Sequence, residues 1–254
     1  MKIIYFSFSK IKYTLILLGV ITIVTLFIIT NFNLSIDSSK DYSFDSQKGI
    51  IVDEIASSLP LQDVVIGLDP GHGGYDPGFF TNGDDIRECD IVLEISLKLR
   101  RLLEQAGANV VMTRETDADL WDYRDKMAKR HDLDNRLQLF KDHEVELVLS
   151  IHANSIPSSV WRGAQTFYYP DDEDSRQLAW TIQNELERVL ENTDRPILPG
   201  KYYILSESDS IGALIEAGFL SNPQERKLLT NPRYQERVAW SIYLGVINYV
   251  LNDQ

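Results

Sequence analysis

From Pro60 onwards, short apolar runs alternate with longer segments of helical periodicity. A short apolar run is typical of a buried strand, and apolar side chains at every third or fourth position are typical of a helix. Alternation of this kind builds a three-layer α/β domain, with a mostly parallel sheet between helices on both faces. We predict one such domain over residues 60–254. Its sheet should be mixed, because two of the runs are short enough to pair antiparallel. The strand-like runs cover residues 64–68, 109–113, 146–153, 163–169, 202–205 and 213–219.

Several predicted helices have recognisable ends. The helical spacing over residues 91–102 stops before Gly107, which lies where the glycine after a helix belongs. A later helix should begin with Asn222 as its N-cap, followed by Pro223 at the first position and Glu225 at the third. Two further helices are predicted over residues 177–190 and after Asn231.

The charge of the chain argues against one class of partner. The formal net charge is −13, and because the first 36 residues hold three lysines and no acid, the rest of the chain carries −16. So acidic a domain is poorly suited to bind a phosphate backbone, which requires lysine and arginine. We therefore predict no nucleic-acid partner. The single cysteine, Cys89, excludes an intrachain disulfide and a cysteine-based zinc finger.

The N-terminal segment predicts export. Residues 13–30 are uncharged and mostly aliphatic, and they follow the three lysines. This length is at the short end for a bilayer-spanning helix, and no small-x-small cleavage site follows it. We predict that residues 1–31 are a membrane anchor or uncleaved signal, with a cleaved secretion signal as the alternative. The basic end should stay in the cytoplasm, which makes the rest of the chain extracytoplasmic. Residues 32–59 are rich in Ser and Asp and are predicted to be a polar linker.

Two histidines and one glutamate occupy positions that suit a metal site. His72 follows a predicted strand within the glycine-rich turn DPGHGG, and His152 lies at the end of another strand. Glu88 lies at the start of a predicted helix. Ligand crevices in open α/β sheets form at strand ends, and two His with one Glu match a catalytic zinc site that keeps its fourth position for water. Each histidine could instead be a hydrogen-bonded structural residue.

A further carboxylate lies inside an apolar strand. Glu216 is surrounded in the sequence by the aliphatic and small residues of 213–219. Burial of a glutamate is costly unless the side chain is paired or functional. A carboxylate beside a metal can take a proton from an attacking water, so Glu216 is a candidate general base.

Together these motifs resemble the zinc-dependent N-acetylmuramoyl-L-alanine amidases, over a region from about residue 60 to the C-terminus. Four segments carry the resemblance: residues 68–74 (LDPGHGG), Glu88 ahead of a helix, residues 150–154 (SIHAN) and residues 216–222 (EAGFLSN). Smaller matches lie at residues 113–117 (TRETD) and 135–137 (NRL). The N-terminal anchor and two segments further resemble the germination-specific (CwlD-type) branch of endospore formers: residues 163–169 (GAQTFYY) and 221–226 (SNPQER).

The resemblance implies a reaction and a role for each reactive residue. It implies that His72, Glu88 and His152 bind Zn²⁺ and that Glu216 is the catalytic carboxylate. The bond cut would be the amide between the lactyl group of N-acetylmuramic acid and L-alanine in peptidoglycan, in spore cortex formation or germination. The chain departs from the family at Cys89, where a lysine or another polar residue is common. We predict that the Cys89 thiol points away from the metal.

The resemblance also raises the question of a lid, because some amidases of this family carry an inserted helix that covers the zinc. Here only residues 153–162 separate His152 from the strand that Gly163 opens, and Pro157 lies among them. This segment is too short for a helix of several turns. We predict an uncovered site, with control by expression, by localisation or by a separate activating protein.

Two other functions are compatible with the motifs. One is a zinc peptidase that acts on another cell-wall amide, and the other is a module that binds cell-wall peptides without cutting them. Glu216 favours catalysis, because a binding module needs no proton acceptor at that position. Two further roles stay open: Asp69 either orients His72 or caps the turn, and Asn154 either contacts substrate or holds the turn after its strand. Solvated helix positions are predicted for His131 and His143.

Overall fold

The computed structural model describes residues 59–81, 83, 85–120 and 128–252, and these residues form eight strands and six helices. The strands are β1 (Val65–Pro70), β2 (Phe80–Thr81), β3 (Ile86–Arg87), β4 (Asn109–Met112), β5 (Leu147–Asn154), β6 (Gln165–Tyr168), β7 (Leu198–Pro199) and β8 (Ile211–Phe219). The helices are α1 (Glu88–Gln105), α2 (Ala128–Asp142), α3 (Glu173–Leu190), α4 (Tyr203–Ser206), α5 (Pro223–Leu229) and α6 (Pro232–Asn252).

Six of the strands form one sheet in the order β4-β1-β5-β8-β6-β7. Strands β4, β1, β5 and β8 are mutually parallel, β6 runs antiparallel to β8, and β7 runs parallel to β6. Strands β2 and β3 form a separate antiparallel pair. The predicted mixed sheet is therefore confirmed. Because the four parallel strands end at the same edge, the residues that follow or end β1, β5 and β8 meet there.

Two hydrophobic clusters cover the two faces of this sheet. The larger one packs β1, β5 and β8 against α1, α3 and α6, with Leu149 and Ile215 among its fully buried residues. The smaller one lies on the opposite face, where Phe140 of α2 packs with Val148 of β5 and Leu214 of β8. Helices thus lie on both faces, which confirms the predicted three-layer architecture.

The reactive residues belong to the less heavily covered face. Side chains alternate along a strand, so His152 points to the same side as Val148, and Glu216 to the same side as Leu214. The smaller hydrophobic cluster fills the middle of this face. The polar residues of this face, His152 and Glu216, therefore lie at the edge where the parallel strands end.

The predicted helix ends are present in the structure, and the Glu225 side chain makes contacts that the sequence does not predict. Gly107 has φ +100° just past the end of α1, as predicted. Asn222 caps α5, and its side chain accepts from the N–H groups of residues 224 and 225. Pro223 and Glu225 occupy the predicted first and third positions of the helix, but the Glu225 carboxylate does not return to Asn222. It accepts instead from Gly163 N and Phe219 N, each at 2.8 Å, because these buried N–H groups need an acceptor.

The strand predicted over residues 202–205 is wrong. Residues Tyr203–Ser206 form the short helix α4. The Tyr202 ring meets Phe167 edge to face with centroids 5.3 Å apart, while Ile204 and Leu205 are buried in the smaller hydrophobic cluster. A four-residue apolar run fits either a strand or one helical turn, and here packing selects the turn. The edge of the sheet is formed by β7 instead.

The predicted anchor over residues 1–31 lies outside the described residues, as does the linker over 32–59 apart from Leu59. In the part of the chain that the structure describes, none of the helices combines the length and apolar character needed to cross a bilayer.

Candidate active site

The structure brings His72, Glu88 and His152 together at the carboxyl edge of the sheet. His72 lies in the loop after β1, Glu88 is the first residue of α1, and His152 lies near the end of β5. One ligand atom from each residue lies within 4.8 Å of the others, so the group could hold a metal ion. The Glu88 carboxylate is the centre of this group, because its Oε1 is 3.2 Å from His72 Nε2 and 3.1 Å from His152 Nδ1.

Backbone amides fix the orientation of Glu88. Its Oε1 accepts from Ala153 N at 3.1 Å, and its Oε2 accepts from Phe79 N at 3.0 Å. Burial acts to raise the pKa of Glu88, but hydrogen bonds and charge from His152 and His72 outweigh it and lower that pKa. Glu88 is therefore a carboxylate at neutral pH, which is the form that binds a metal.

His72 is held by an unusual backbone conformation and by a second carboxylate. Its φ is +60°, and its Nδ1 lies 3.0 Å from Asp76 Oδ2. Burial acts to lower the pKa of His72, but Asp76 and Glu88 raise it to about 9. A carboxylate on the far nitrogen of a metal-binding histidine fixes the ring and makes the other nitrogen a stronger ligand. The Asp76 carboxylate also lies 3.1 Å from Lys129 Nζ.

Two glycines leave room for these side chains. A Cβ on Gly71 would lie 2.2 Å from the His152 ring. Gly78 has φ +66°, and a Cβ there would lie 2.6 Å from Glu88 Oε2. Neither position accepts a side chain without displacing a member of the group.

Two buried arginines hold the loop that carries His72. Arg136 donates to the carbonyl oxygens of Pro70 and His72 at 3.0 and 2.8 Å. Arg114 donates to the carbonyl oxygens of Pro70 and Gly71 at 3.0 and 2.8 Å. The loop conformation therefore depends on side chains from the 113–117 segment and from α2.

Asp69 has neither of the roles considered for it. The buried carboxylate accepts from the hydroxyls of Thr113 and Ser150 at 2.9 and 2.7 Å, and it forms an ion pair with Arg136 at 2.7 Å. Burial acts to raise the pKa of Asp69, but Arg136 outweighs it and lowers that pKa. Asp69 thus supports His72 only through Arg136. Loss of one partner of such a buried ion pair typically costs about 3–5 kcal/mol.

Glu216 lies beside the three-residue group on the neighbouring strand. It is paired in register with His152 across β5 and β8. Its Oε2 is buried and has no hydrogen-bond partner among the described residues. Burial raises the pKa of Glu216 to about 7, helped by Glu88 and opposed by His152 and His72. An unpaired buried carboxylate is costly in a purely structural role, so its position points to function.

The donor set fits a metal by its chemistry. Two imidazole nitrogens and one carboxylate oxygen form a common ligand set of catalytic zinc enzymes. Zinc bonds of about 2.0–2.1 Å at tetrahedral angles place two ligand atoms about 3.4 Å apart. The distances from Glu88 Oε1 to His72 and His152, 3.2 and 3.1 Å, are close to that value.

Comparison with known families decides the assignment. The family model for N-acetylmuramoyl-L-alanine amidase matches residues 66–248, which is most of the described domain. The chain belongs to the N-acetylmuramoyl-L-alanine amidase family. The family and the enzyme class predicted from the motifs are both confirmed, and this membership favours the amidase over a peptidase on another amide or a binding module.

Relatives of this amidase are similar over the same region. The germination-specific N-acetylmuramoyl-L-alanine amidase of Bacillus subtilis (strain 168) is 46% identical over 197 residues, or 76% of this chain and 82% of that protein. The CwlD amidase of Clostridioides difficile, solved in complex with the GerS lipoprotein, is 40% identical with a TM-score of 0.69, over 76% of this chain and 100% of that one. An N-acetylmuramoyl-L-alanine amidase of Clostridium difficile 630 is 30% identical with a TM-score of 0.68, over 75% and 98%.

A cleft of about 850 Å³ opens beside His72 and His152 of this amidase. His72, His152, Tyr202 and Tyr203 are among the residues that line it. Burial raises the pKa of the Tyr202 hydroxyl, with a further contribution from Glu216. Both tyrosines are therefore groove residues.

The other predicted positions agree with the structure. Cys89 is buried at 1% exposure, and burial raises the pKa of its thiol to about 11, so it is a poor metal ligand. Both His131 and His143 are exposed on or beside α2. The Asn154 backbone carbonyl accepts from Leu220 N at 2.8 Å, a main-chain contact that does not distinguish the two roles considered for its side chain.

The predicted absence of an inserted helix agrees with the structure. Every residue between β5 and β6 is described, and none of them is helical. The side chains of His72 and His152 keep 17% and 22% of their surface exposed. The described residues therefore leave a path from solvent to His72 and His152.

Sequence reasoning missed three supporting residues. Asp76 belongs to none of the motifs described above, although it is four residues from His72 in a glycine-rich turn. Arg114 and Arg136 were noticed only as parts of small matches. A buried arginine has no local sequence signal, because its burial depends on carbonyl groups that distant residues supply.

Proposed function

We propose that this chain hydrolyses the lactyl–L-alanine amide of peptidoglycan with a zinc ion held by His72, Glu88 and His152, and with Glu216 as the general base. One observation carries the proposal: three zinc-type ligand atoms converge beside a buried carboxylate oxygen that has no partner among the described residues. Neither a structural role nor simple peptide binding needs this combination.

The residues of the chain then have distinct tasks in the reaction. A zinc ion in this site supplies Lewis acidity to the scissile carbonyl and to the attacking water. Glu216 accepts the proton of that water and returns a proton to the departing L-alanine nitrogen. Without a metal beside it, burial raises the pKa of Glu216 to about 7, and a bound cation would lower that pKa and favour the carboxylate form that accepts a proton. Asp76 keeps the His72 ring in place, and the amides of residues 79 and 153 keep Glu88 in place.

The relatives support a role in spores. The Bacillus subtilis relative is a germination-specific amidase, and we propose that this chain likewise acts on peptidoglycan of the spore cortex. Peptidoglycan lies outside the cytoplasmic membrane, so the proposed place of action is extracytoplasmic.

Mass spectrometry of purified peptidoglycan tests the proposed reaction. Incubation with the protein and zinc should release stem peptides that begin with L-alanine and leave muramic acid with a free lactyl carboxyl. Each cut adds one water and no other mass. Peptides cut at a different amide would identify a zinc peptidase instead, and retention of peptidoglycan without new products would identify a binding module.

We also propose the domain division that the sequence predicts: an anchor over residues 1–31, a polar linker over 32–59 and the catalytic domain over 60–254. The uncharged run at residues 13–30 supports it. The full-length protein should sediment with membranes and keep its N-terminus, whereas a chain that lacks residues 1–31 should remain in the supernatant. A mature protein that starts beyond Asn31 would favour the cleaved signal.

A separate activating protein is the remaining part of the proposal. The described residues contain no helix over the site that a partner would need to displace. The Clostridioides difficile amidase was solved with a lipoprotein partner, which supports a partner for this chain too. Such a partner would help to load metal or to position substrate, and the purified protein assayed with and without extract of its own cells would reveal it.

A further inference from the structure

Arg195 lies between two aromatic rings at the carboxyl edge of the sheet. Its guanidinium carbon is 4.7 Å from the centroid of Phe219 and 5.3 Å from that of Trp161. Its Nε donates to the Arg162 carbonyl at 2.7 Å, and its Nη1 donates to Gln165 Oε1 at 3.0 Å. Stacking and two hydrogen bonds therefore fix the guanidinium in one orientation.

This guanidinium has no carboxylate of its own. Among the described residues neither Arg195 nor Arg162 forms an ion pair within 4.0 Å. The Glu225 carboxylate is close enough for both arginines to act on its pKa, although burial raises that pKa more than they lower it. Both Glu225 oxygens accept from backbone amides instead. Within the described ranges, Arg162 and Arg195 thus have only the Glu225 carboxylate as a common acidic neighbour. The positive charge around Arg195 is therefore not fully neutralised, although the chain as a whole is acidic.

The neighbouring loop supplies apolar surface around this charge. Trp161 is 49% exposed and Val160 is 77% exposed. An indole beside a guanidinium keeps water away from one side of it, and a hydrogen bond to an anion is stronger where water is excluded. The arrangement suits a small anion that approaches from solvent.

The separation of Arg195 and Glu216 suits a peptide that extends from the scissile amide towards Arg195. Gln165 is paired in register with Glu216 across β6 and β8. Arg195 therefore lies one strand spacing of about 4.8 Å, plus one side chain and one hydrogen bond, from Glu216. A stretched peptide advances about 3.3–3.6 Å per residue, so the second or third residue of a stem peptide would reach this position when the scissile amide is beside Glu216.

We propose that Arg195, held between Trp161 and Phe219, binds a free carboxylate on the stem peptide, in the part that leaves with L-alanine. This inference rests on the proposed role of Glu216 and the metal-binding group. It assigns the peptide side of the substrate to the β6 side of the site, and it makes the charge of the stem peptide a determinant of specificity.

A pair of substrates that differ by one negative charge tests this subsite. Two synthetic muramoyl peptides would differ only at the second stem residue, as a free carboxylate or its carboxamide. The full-length protein should favour the carboxylate by about tenfold in kcat/KM, the scale of one charged hydrogen bond. Arg195→Gln should bring the ratio close to one with little change on the carboxamide, and Arg195→Lys should give an intermediate ratio. Arg188→Gln, an exposed arginine on α3, should leave the ratio unchanged.

Several outcomes would overturn the proposal. A wild-type ratio near one would do so, as would an Arg195→Gln protein that loses activity equally on both substrates, because equal loss indicates a structural role. A ratio that depends on the number of sugars would assign the subsite to glycan. If Arg195→Gln fails to fold, Arg195→Lys and Trp161→Ala decide by the same ratio, which both should lower. Calorimetry with the two product peptides separates this inference from the reaction: preferential binding of the carboxylate by a protein that cuts neither substrate would refute the reaction and keep the subsite.

Discussion

Replacement of Glu216 by glutamine is expected to lower kcat at least ~10²-fold, the low end for the loss of general-base catalysis. Glutamine keeps the size and a hydrogen-bonding end, but it cannot accept the proton of the attacking water. The buried Oε2 of Glu216 has no hydrogen-bond partner among the described residues. The fold should therefore tolerate the change. Metal content should stay at the wild-type level, because Glu216 is not one of the three converging ligands.

The matched control is Glu187→Gln, which removes one carboxylate from an exposed position of α3. It should leave both kcat and metal content unchanged. Near-normal turnover in the Glu216→Gln protein would rule out Glu216 as the base. Two other carboxylates are poor candidates for the general base. Asp69 accepts hydrogen bonds from Arg136, Thr113 and Ser150. Glu94 is paired with Lys98.

The three central parallel strands, β1, β5 and β8, were predictable because most of their residues are buried. Runs such as residues 64–68 and 146–153 are apolar on both faces, which is the pattern of central parallel strands. His152 and Glu216 each lie within such an apolar run, so each could be assigned to a buried strand near its carboxyl end. The positions of these two residues were therefore predictable from local sequence.

Other features depend on tertiary contacts that no local pattern reports. The run at 202–205 has strand-like composition, yet contacts with Phe167 and the smaller hydrophobic cluster make it a helical turn. Glu225 has the spacing of a capping residue, yet its carboxylate accepts from Gly163 N in a distant loop and from Phe219 N at the end of β8. Asp76 contacts His72 across the glycine-rich loop, and Arg136 of α2 pairs with Asp69 in β1; no local pattern specifies either contact.

Replacement of His152 by alanine is expected to remove stoichiometric zinc from the protein. Loss of a residue that merely supports a ligand typically costs about 10–100-fold in metal affinity, and loss of one ligand out of three should cost at least as much. His152 is the cleanest of the three positions to test. Glu88 also accepts two backbone amides, and His72 anchors Asp76, so their removal disturbs the local fold as well as the metal.

The measurement is metal analysis after dialysis against a weak chelator, with activity recorded before and after zinc is returned. The matched controls are His131→Ala and His143→Ala, which remove exposed imidazoles from the region of α2 and should keep the wild-type zinc content. His72→Ala and Glu88→Ala should lose zinc as His152→Ala does. Full retention of zinc by the His152→Ala protein would show that the ligand assignment is wrong. The two remaining donors, His72 and Glu88, lie 3.2 Å apart and offer only half of a tetrahedral shell.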